Sequence, residues 1–396
     1  MLQTNKIVNF DGILLPAPGV DLKRWAVVAC DQFTGDPDYW QNVEETVCGA
    51  PSAYRLTFPE IYLSKDNSAR IKNIHAAMDS YLSGGVFKEY KNCAVLTERR
   101  TPYHARRLGL VLSIDLEAYS YKKGDKTPIR ATEGTIIERI PPRVEIRRGA
   151  PLEISHILLL IDDPGRTLIE ALYEKHKNDT PAYDTELNQN GGHVTGRLIY
   201  DTDDITARLN KLVKDDGFLF AAGDGNHSLA TAKAFWDEIK GTLPENERAR
   251  HPARYALCEA VNIYDPGLAF EPIHRIVYCA QHTIPTTGHQ KKYFSILNSQ
   301  LPPGSDAVET ILHAQNYIDE YIKKYGGEVD YIHGAKELHE AAERNAARYP
   351  VPIEMPRIEK EDFFRLLDKY GIMPRKSFSL GEGVEKRYYL EARRIK

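Results

Sequence analysis

Short apolar runs alternate along the chain with segments whose apolar residues recur every three or four positions. Trp25–Cys30, Cys93–Thr97, Leu108–Ile114, His156–Ile161, His193–Tyr200, Gly217–Ala222, Tyr255–Ile263 and His274–Tyr278 read as strands. Helical spacing marks Asp36–Val47, with Pro37 in its first turn, and Asn67–Leu82, stopped by Gly84-Gly85. It also marks a segment ending near His176, Asp203–Val213 and Ser228–Ile239. Beyond a linker expected around Pro302-Pro303-Gly304, helices are predicted at Ala307–Lys324, Gly334–Arg348 and Lys360–Tyr370, with a strand at Val329–His333. The tail Lys376–Ile395 reads as a hairpin turning at Gly381-Glu382-Gly383. Residues 120–155 are polar, arginine-rich and broken by Gly and Pro, so they read as a long irregular segment. This alternation predicts an α/β or α+β fold with mixed sheets. Three provisional segments follow, at 1–120, 121–285 and 286–396.

Size and composition narrow the class. The 396 residues are 42% hydrophobic and 27% charged, which excludes a wholly disordered chain. With 52 Lys and Arg against 56 Asp and Glu, the formal charge is −4, which argues against a nucleic-acid-coated protein. DNA is therefore not expected as a partner. The longest aliphatic run, Ile157–Ile161, is far shorter than the ~20 residues of a membrane helix. The five cysteines, an odd number with no C-x-x-C pair, suggest buried thiols in a cytoplasmic protein.

The segment richest in chemical possibilities is Gly223-Asp224-Gly225-Asn226-His227-Ser228, between a strand and a helix. The glycines permit positive φ and close approach to a ligand. The helix N-terminus offers N–H groups and a partial positive charge, which suit a phosphate. The same residues also make an ordinary turn, with Asn226 or Ser228 as the helix cap. His227 beside Asp224 adds acid–base capacity. Neither a P-loop nor a G-x-G-x-x-G dinucleotide loop is present.

The loop resembles the Asp-Gly-x-His signature of the family called domain of unknown function 1015. Arg130–Thr135, His156–Pro164, Leu268–Ile276 and Met373–Ser379 resemble that family too, in the same order along the chain. The resemblance extends distantly to the ParB and sulfiredoxin superfamily, which includes free-serine kinases. It implies a nucleotide-binding core and a nucleotide at Gly223–Ser228: ATP, ADP or CTP. Where that pattern continues with arginine, this chain has Ser228, a weaker phosphate donor. Glu245–Ala249 resembles the Glu-Asn-x-x-Arg element of ParB but has alanine at 249, and reads as a solvated loop.

On this reading Asp224 and His227 position or protonate phosphate oxygens, and Glu133 takes a hydroxyl proton. Arg130 and Arg143 are candidate phosphate clamps, although this stretch also reads as a solvated charged loop. His274-Arg275 is an anion-contacting pair or a pair at a strand edge. Arg375 and Lys376 follow a helix end, in a tail from Met373 with seven basic residues against three acidic. That tail covers an anionic pocket or is an exposed hairpin. Mg²⁺ would accompany a di- or triphosphate. No dedicated metal site is indicated: Asp162-Asp163 offers oxygen ligands, but Pro164-Gly165 makes it a strand-ending turn. The expected activity is phosphoryl transfer to a small hydroxyl metabolite, or nucleotide hydrolysis. The alternative is a nucleotide-gated regulator without turnover. A homo-oligomer is compatible with either.

Overall fold

The structure, a computed structural model, describes residues 7–64, 66–279 and 304–396. The fold is mixed α/β, as the alternation predicts. The chain forms two compact units: residues up to Leu268 together with Glu382–Lys396, and Ala269–Gly381.

The first unit is built on a large mixed sheet. Its strands run in the order Tyr183–Leu187, Gly192–Ile199, Ala94–Arg100, Arg107–Asp115, Tyr255–Asn262, Leu158–Ile161, Phe220–Asp224, Ile129–Ala131, Tyr119–Ser120. Most neighbours are antiparallel, but Leu158–Ile161 runs parallel to Tyr255–Asn262, and Ile129–Ala131 parallel to both Phe220–Asp224 and Tyr119–Ser120. Arg107–Asp115 and Leu158–Ile161 are buried along their whole length. A strand covered on both faces reads as a near-continuous apolar run rather than an alternation, as Leu158–Ile161 does, whereas Arg107–Asp115 keeps buried polar residues at Arg107, Ser113 and Asp115. The helix Asn226–Lys240 buries Leu229, Ala230, Phe235 and Trp236 and packs against Ile140–Arg147.

Leu158 pairs with Asp224 and Leu159 with Ala222, so the register steps past Gly223. Gly223 is thus the extra residue of a bulge, a position glycine tolerates well. Gly225 follows with φ +73°, and a Cβ there would lie 3.0 Å from Ile157 Cα. Each glycine therefore has its own structural reason.

Several expectations change. Within Trp25–Cys30 the strand is only Val27–Val28, because Trp25 ends a helical turn, Leu22–Trp25, capped by Asp21. Residues 120–155 are not irregular throughout: they contain the strand Ile129–Ala131, the helix Ile140–Arg147 and the strand Leu152–Ile154. Pro141 and Pro142 sit in that helix's first turn, where the missing N–H groups have no intrahelical acceptor to lose. Glu245–Arg248 is a short exposed helix rather than a loop. Cys93 and Cys258 are buried, whereas Cys48 is exposed.

The tail is not a hairpin. Phe378–Leu380 pairs with Phe270–Pro272, whereas Tyr388–Tyr389 pairs with Val27–Val28. Ala392–Arg394 lies between Ile13–Pro16 and Leu152–Ile154. Buried charges fasten it there: Arg387 pairs with Glu259 and Glu391, and Arg393 with Glu153.

The second unit centres on Phe270–Cys279, flanked by Gly327–His333, Pro350–Ile353 and Phe378–Leu380. Its helices are Ala307–Tyr325, Ala335–Arg344 and Lys360–Tyr370. The linker expected at Pro302-Pro303 lies outside the described residues.

Candidate functional site

The glycine loop is not sealed. Asp224, Asn226, His227 and Ser228 are each partly exposed. Helix Asn226–Lys240 begins directly after Gly225, which provides no side-chain cap, and its first turn carries no acidic residue. The positive end of this helix is therefore not neutralised by its own first turn. Asn226 does not cap it either. Its amide nitrogen donates to Ala222 O and Thr132 Oγ1, and its oxygen accepts from the Thr132 N–H. The Ile136 N–H donates to His227 Nε2 at 3.3 Å. These bonds hold residues 132–136, which include half-buried Glu133, along the loop. Asp224 accepts from the Gly225 N–H and pairs with Lys386 at 3.2 Å.

Ser228 leads to the feature the sequence reading missed. Its Oγ lies 3.4 Å from Nε2 of His156, a buried imidazole two residues before the strand Leu158–Ile161. Asp31 Oδ2 is 3.6 Å from the same nitrogen, and Nδ1 contacts Tyr389 Oη at 2.8 Å. Tyr389 Oη also accepts from the Cys30 N–H. Burial disfavours a charge on His156, but the Asp31 carboxylate, with Asp224 and Glu60, outweighs it and raises the imidazole above its ordinary range. Burial likewise works against the Asp31 charge. The His156 ring, with Gln32 and Lys386, overcomes it and holds Asp31 below the usual carboxylate range. Ser228 and Asp31 address one ring nitrogen, so this is not a serine-hydrolase relay, in which the carboxylate holds the other nitrogen.

His156, Ser228 and Tyr389 line a cavity of about 150 Å³. Arg143, one of the expected clamps, also lines it, paired with Glu60. Cys30 is on its wall, but burial and then Asp31 push its thiol up to about 12, so it is not a thiolate nucleophile near neutrality.

The other candidates lie elsewhere. The Arg130 guanidinium pairs with Asp216, donates to Thr127 O and stacks 4.0 Å over the Phe218 ring, at the start of the strand rather than at the loop. His274, Arg275, Arg375 and Lys376 belong to the second unit. There, His274 Nδ1 accepts from the Met355 N–H, and burial lowers its affinity for a proton. Fully buried Arg275 donates to the carbonyls of Arg375 and Lys376, whose own side chains are exposed. Asp163 accepts from the Thr167 and Leu168 N–H groups, as a turn residue does. Among the described residues no group of three His, Cys, Asp or Glu side chains is placed to hold a metal ion. Nor is any helix there long and apolar enough to cross a membrane.

The fold and this loop define a mixed α/β protein whose bulged strand presents a helix N-terminus beside a cavity that Ser228 and His156 line. Residues 7–342 match the family described as protein of unknown function (DUF1015), and the chain belongs to that family. No curated protein is matched. Among solved structures, a conserved hypothetical protein from Pyrococcus furiosus aligns at 13% identity and a TM-score of 0.33, over 71% of this chain and 90% of that one. A free serine kinase in complex with AMP aligns at 11% identity and a TM-score of 0.37, over 72% and 92%. Likeness this distant assigns no role to any residue here.

Proposed function

We propose that the protein binds a nucleotide, with its phosphates over the first turn of helix Asn226–Lys240, and transfers a phosphoryl group to a small hydroxyl compound. The observation that carries this reading is the uncapped start of that helix, beside Lys386 and beside the cavity that Ser228 lines. An exposed helix end alone contributes only ~0.3–1 kcal/mol to anion binding, so the Lys386 ammonium is needed as well. Thr135 Oγ1, one residue from Ile136, is buried without a hydrogen-bond partner, and a ligand oxygen at this edge would satisfy it. The nucleotide itself is the expectation drawn from the loop's resemblance.

In the reaction, the acceptor hydroxyl oxygen attacks the terminal phosphorus. The bond from that phosphorus to the bridging oxygen breaks, and its electron pair leaves with the shortened nucleotide. The hydroxyl proton passes to the Glu133 carboxylate and then to water. His156 lines the cavity and is fixed by Tyr389, and because Asp31 favours its charged form it acts as a donor at Nε2 that orients the acceptor oxygen rather than as the base. Mg²⁺ would come with the phosphates, with Asp224 or Glu133 as the carboxylate beside it.

Thermal unfolding with ATP, ADP and CTP, with and without Mg²⁺, tests binding. A ligand at 100 times its Kd adds about 2.7 kcal/mol, and no shift at millimolar nucleotide overturns the reading. Phosphorus NMR of the reaction mixture tests transfer. Ser228, standing where the resembling loops carry arginine, favours a second reading, a nucleotide-gated switch. Binding with a change of oligomeric state and no phosphorylated product would select it.

A further inference from the structure

The cavity beside His156 has a definite chemical character. Its walls include Leu56, Phe58, Met78, Ile146 and Leu152, from four separate segments of the first unit. Its ionised wall residues carry their own counter-charges: Glu60 with Arg143, Glu153 with Arg147, and His156 with Asp31. A charged guest would have to break one of these pairs, and a buried charge that loses its partner is costly. The cavity's volume, about 150 Å³, is that of a site known to hold benzene, so it suits about six to eight non-hydrogen atoms. A whole nucleotide does not fit.

Two wall groups are under-bonded: Arg147, whose Nε is buried without a hydrogen-bond partner although its guanidinium pairs with Glu153, and His156. His156 Nε2 contacts Ser228 Oγ at 3.4 Å and Asp31 Oδ2 at 3.6 Å. Both are longer than the 2.7–3.2 Å of a good N–H···O bond. A guest hydroxyl here would gain a better bond than either. Nδ1 is meanwhile held at 2.8 Å by Tyr389, so the ring is already oriented.

We infer that this cavity is a binding site for a neutral, apolar-bodied alcohol, with its hydroxyl at His156 Nε2 and its hydrocarbon part against Met78 and Phe58. Its role as phosphoryl acceptor rests on the preceding reading, whereas binding itself does not require a nucleotide.

The test uses the full chain labelled at its methionine methyl carbons, titrated separately with benzyl alcohol, toluene and glycerol in the absence of nucleotide. The chain has four methionines, of which Met78 lies on the cavity wall and Met355 and Met373 belong to the second unit. Benzyl alcohol is expected to shift the Met78 methyl signal saturably, leave Met355 and Met373 unmoved, and bind about fivefold more tightly than toluene. Glycerol is expected to leave Met78 unmoved. Met78→Trp, which fills the cavity, is expected to abolish benzyl alcohol binding measured by calorimetry. If that variant does not fold, the wild-type methyl titration still decides. No Met78 shift with benzyl alcohol, equal affinity for toluene, or a stronger response to glycerol overturns the inference. Nucleotide titration of the same sample is read separately. A protein that takes benzyl alcohol but no nucleotide keeps this site and loses the proposed function, and the converse result does the reverse.

Discussion

Tyr389 Oη sits 2.8 Å from Nδ1 of His156 across 233 residues of sequence, and it also accepts the Cys30 N–H. The C-terminal segment thereby completes the site, because Lys386, three residues earlier, pairs with Asp224 of the glycine loop. Tyr389 is buried and its hydroxyl is held well above its ordinary pKa, first by burial, so it stays a neutral hydrogen-bonding group.

Tyr389→Phe should therefore leave a buried imidazole nitrogen and the Cys30 N–H without their partner. A loss of about 1–3 kcal/mol in stability is expected, measured by urea unfolding. An unchanged midpoint and slope would show that the hydroxyl does not hold His156.

The Asp31–His156 pair makes stability depend on pH. His156 has a raised pKa in the folded state, so its contribution is complete below the unfolded value and fades as pH rises through the folded one. Asp31 has a lowered pKa, so its contribution is present above the unfolded value and fades as pH falls through the folded one. The pair supports the fold most between about pH 4 and 6.5. Asp31→Asn should weaken the alkaline decline and bring the His156 titration down, as read by melting temperature against pH and by imidazole NMR. An identical His156 titration in both proteins would contradict the assignment.

Gly225→Ala places a β-carbon on a residue with φ +73°, 3.0 Å from Ile157 Cα and 3.2 Å from Ile157 Cγ1. Left-handed backbone alone costs a non-glycine residue roughly 1–2 kcal/mol, and the contact adds to it. Guanidinium denaturation should show a loss of at least that size. A neutral substitution would mean that the loop relaxes freely.

Lys386 and Arg130 separate a ligand-facing cation from a structural one. Lys386→Met should weaken nucleotide binding by about tenfold, equivalent to ~1.4 kcal/mol. Arg130→Met removes the partner of Asp216 and the cation over Phe218, so it should lower the melting temperature yet leave nucleotide affinity unchanged. Calorimetric titration of both variants checks this, and a reversed pattern would return Arg130 to the binding site.

Much of the architecture is legible in local pattern. Lys360–Tyr370 is a helix as its spacing predicts, ended by Gly371 at φ +72°. Ser68–Ser83 and Thr202–Leu212 lie within a residue of their expected limits. The glycine loop shows in the sequence because a bulge and a left-handed residue both select glycine. His156 was hidden in an apolar run that reads as strand, and Asp31 in a turn after Cys30. The signals for His156 were a polar residue at the head of an otherwise wholly apolar run and the family resemblance of His156–Pro164, neither of which gives it a role. Arg130 and Arg275 misled for the opposite reason: arginine types suggest anion contact, whereas these two are buried against protein carbonyls, a carboxylate and aromatic rings.

By itself, the sequence determined the alternating α/β character, most helix limits, and a strand–glycine turn–helix able to present a helix N-terminus. These follow from periodicity, capping and backbone sterics, which act over a few neighbouring residues. Only the tertiary structure decided that Asp31, His156, Ser228 and Tyr389 meet, and that the tail divides its strands among different partners. Those choices depend on which distant strands pair and in what register, and that is settled by burying the whole core at once.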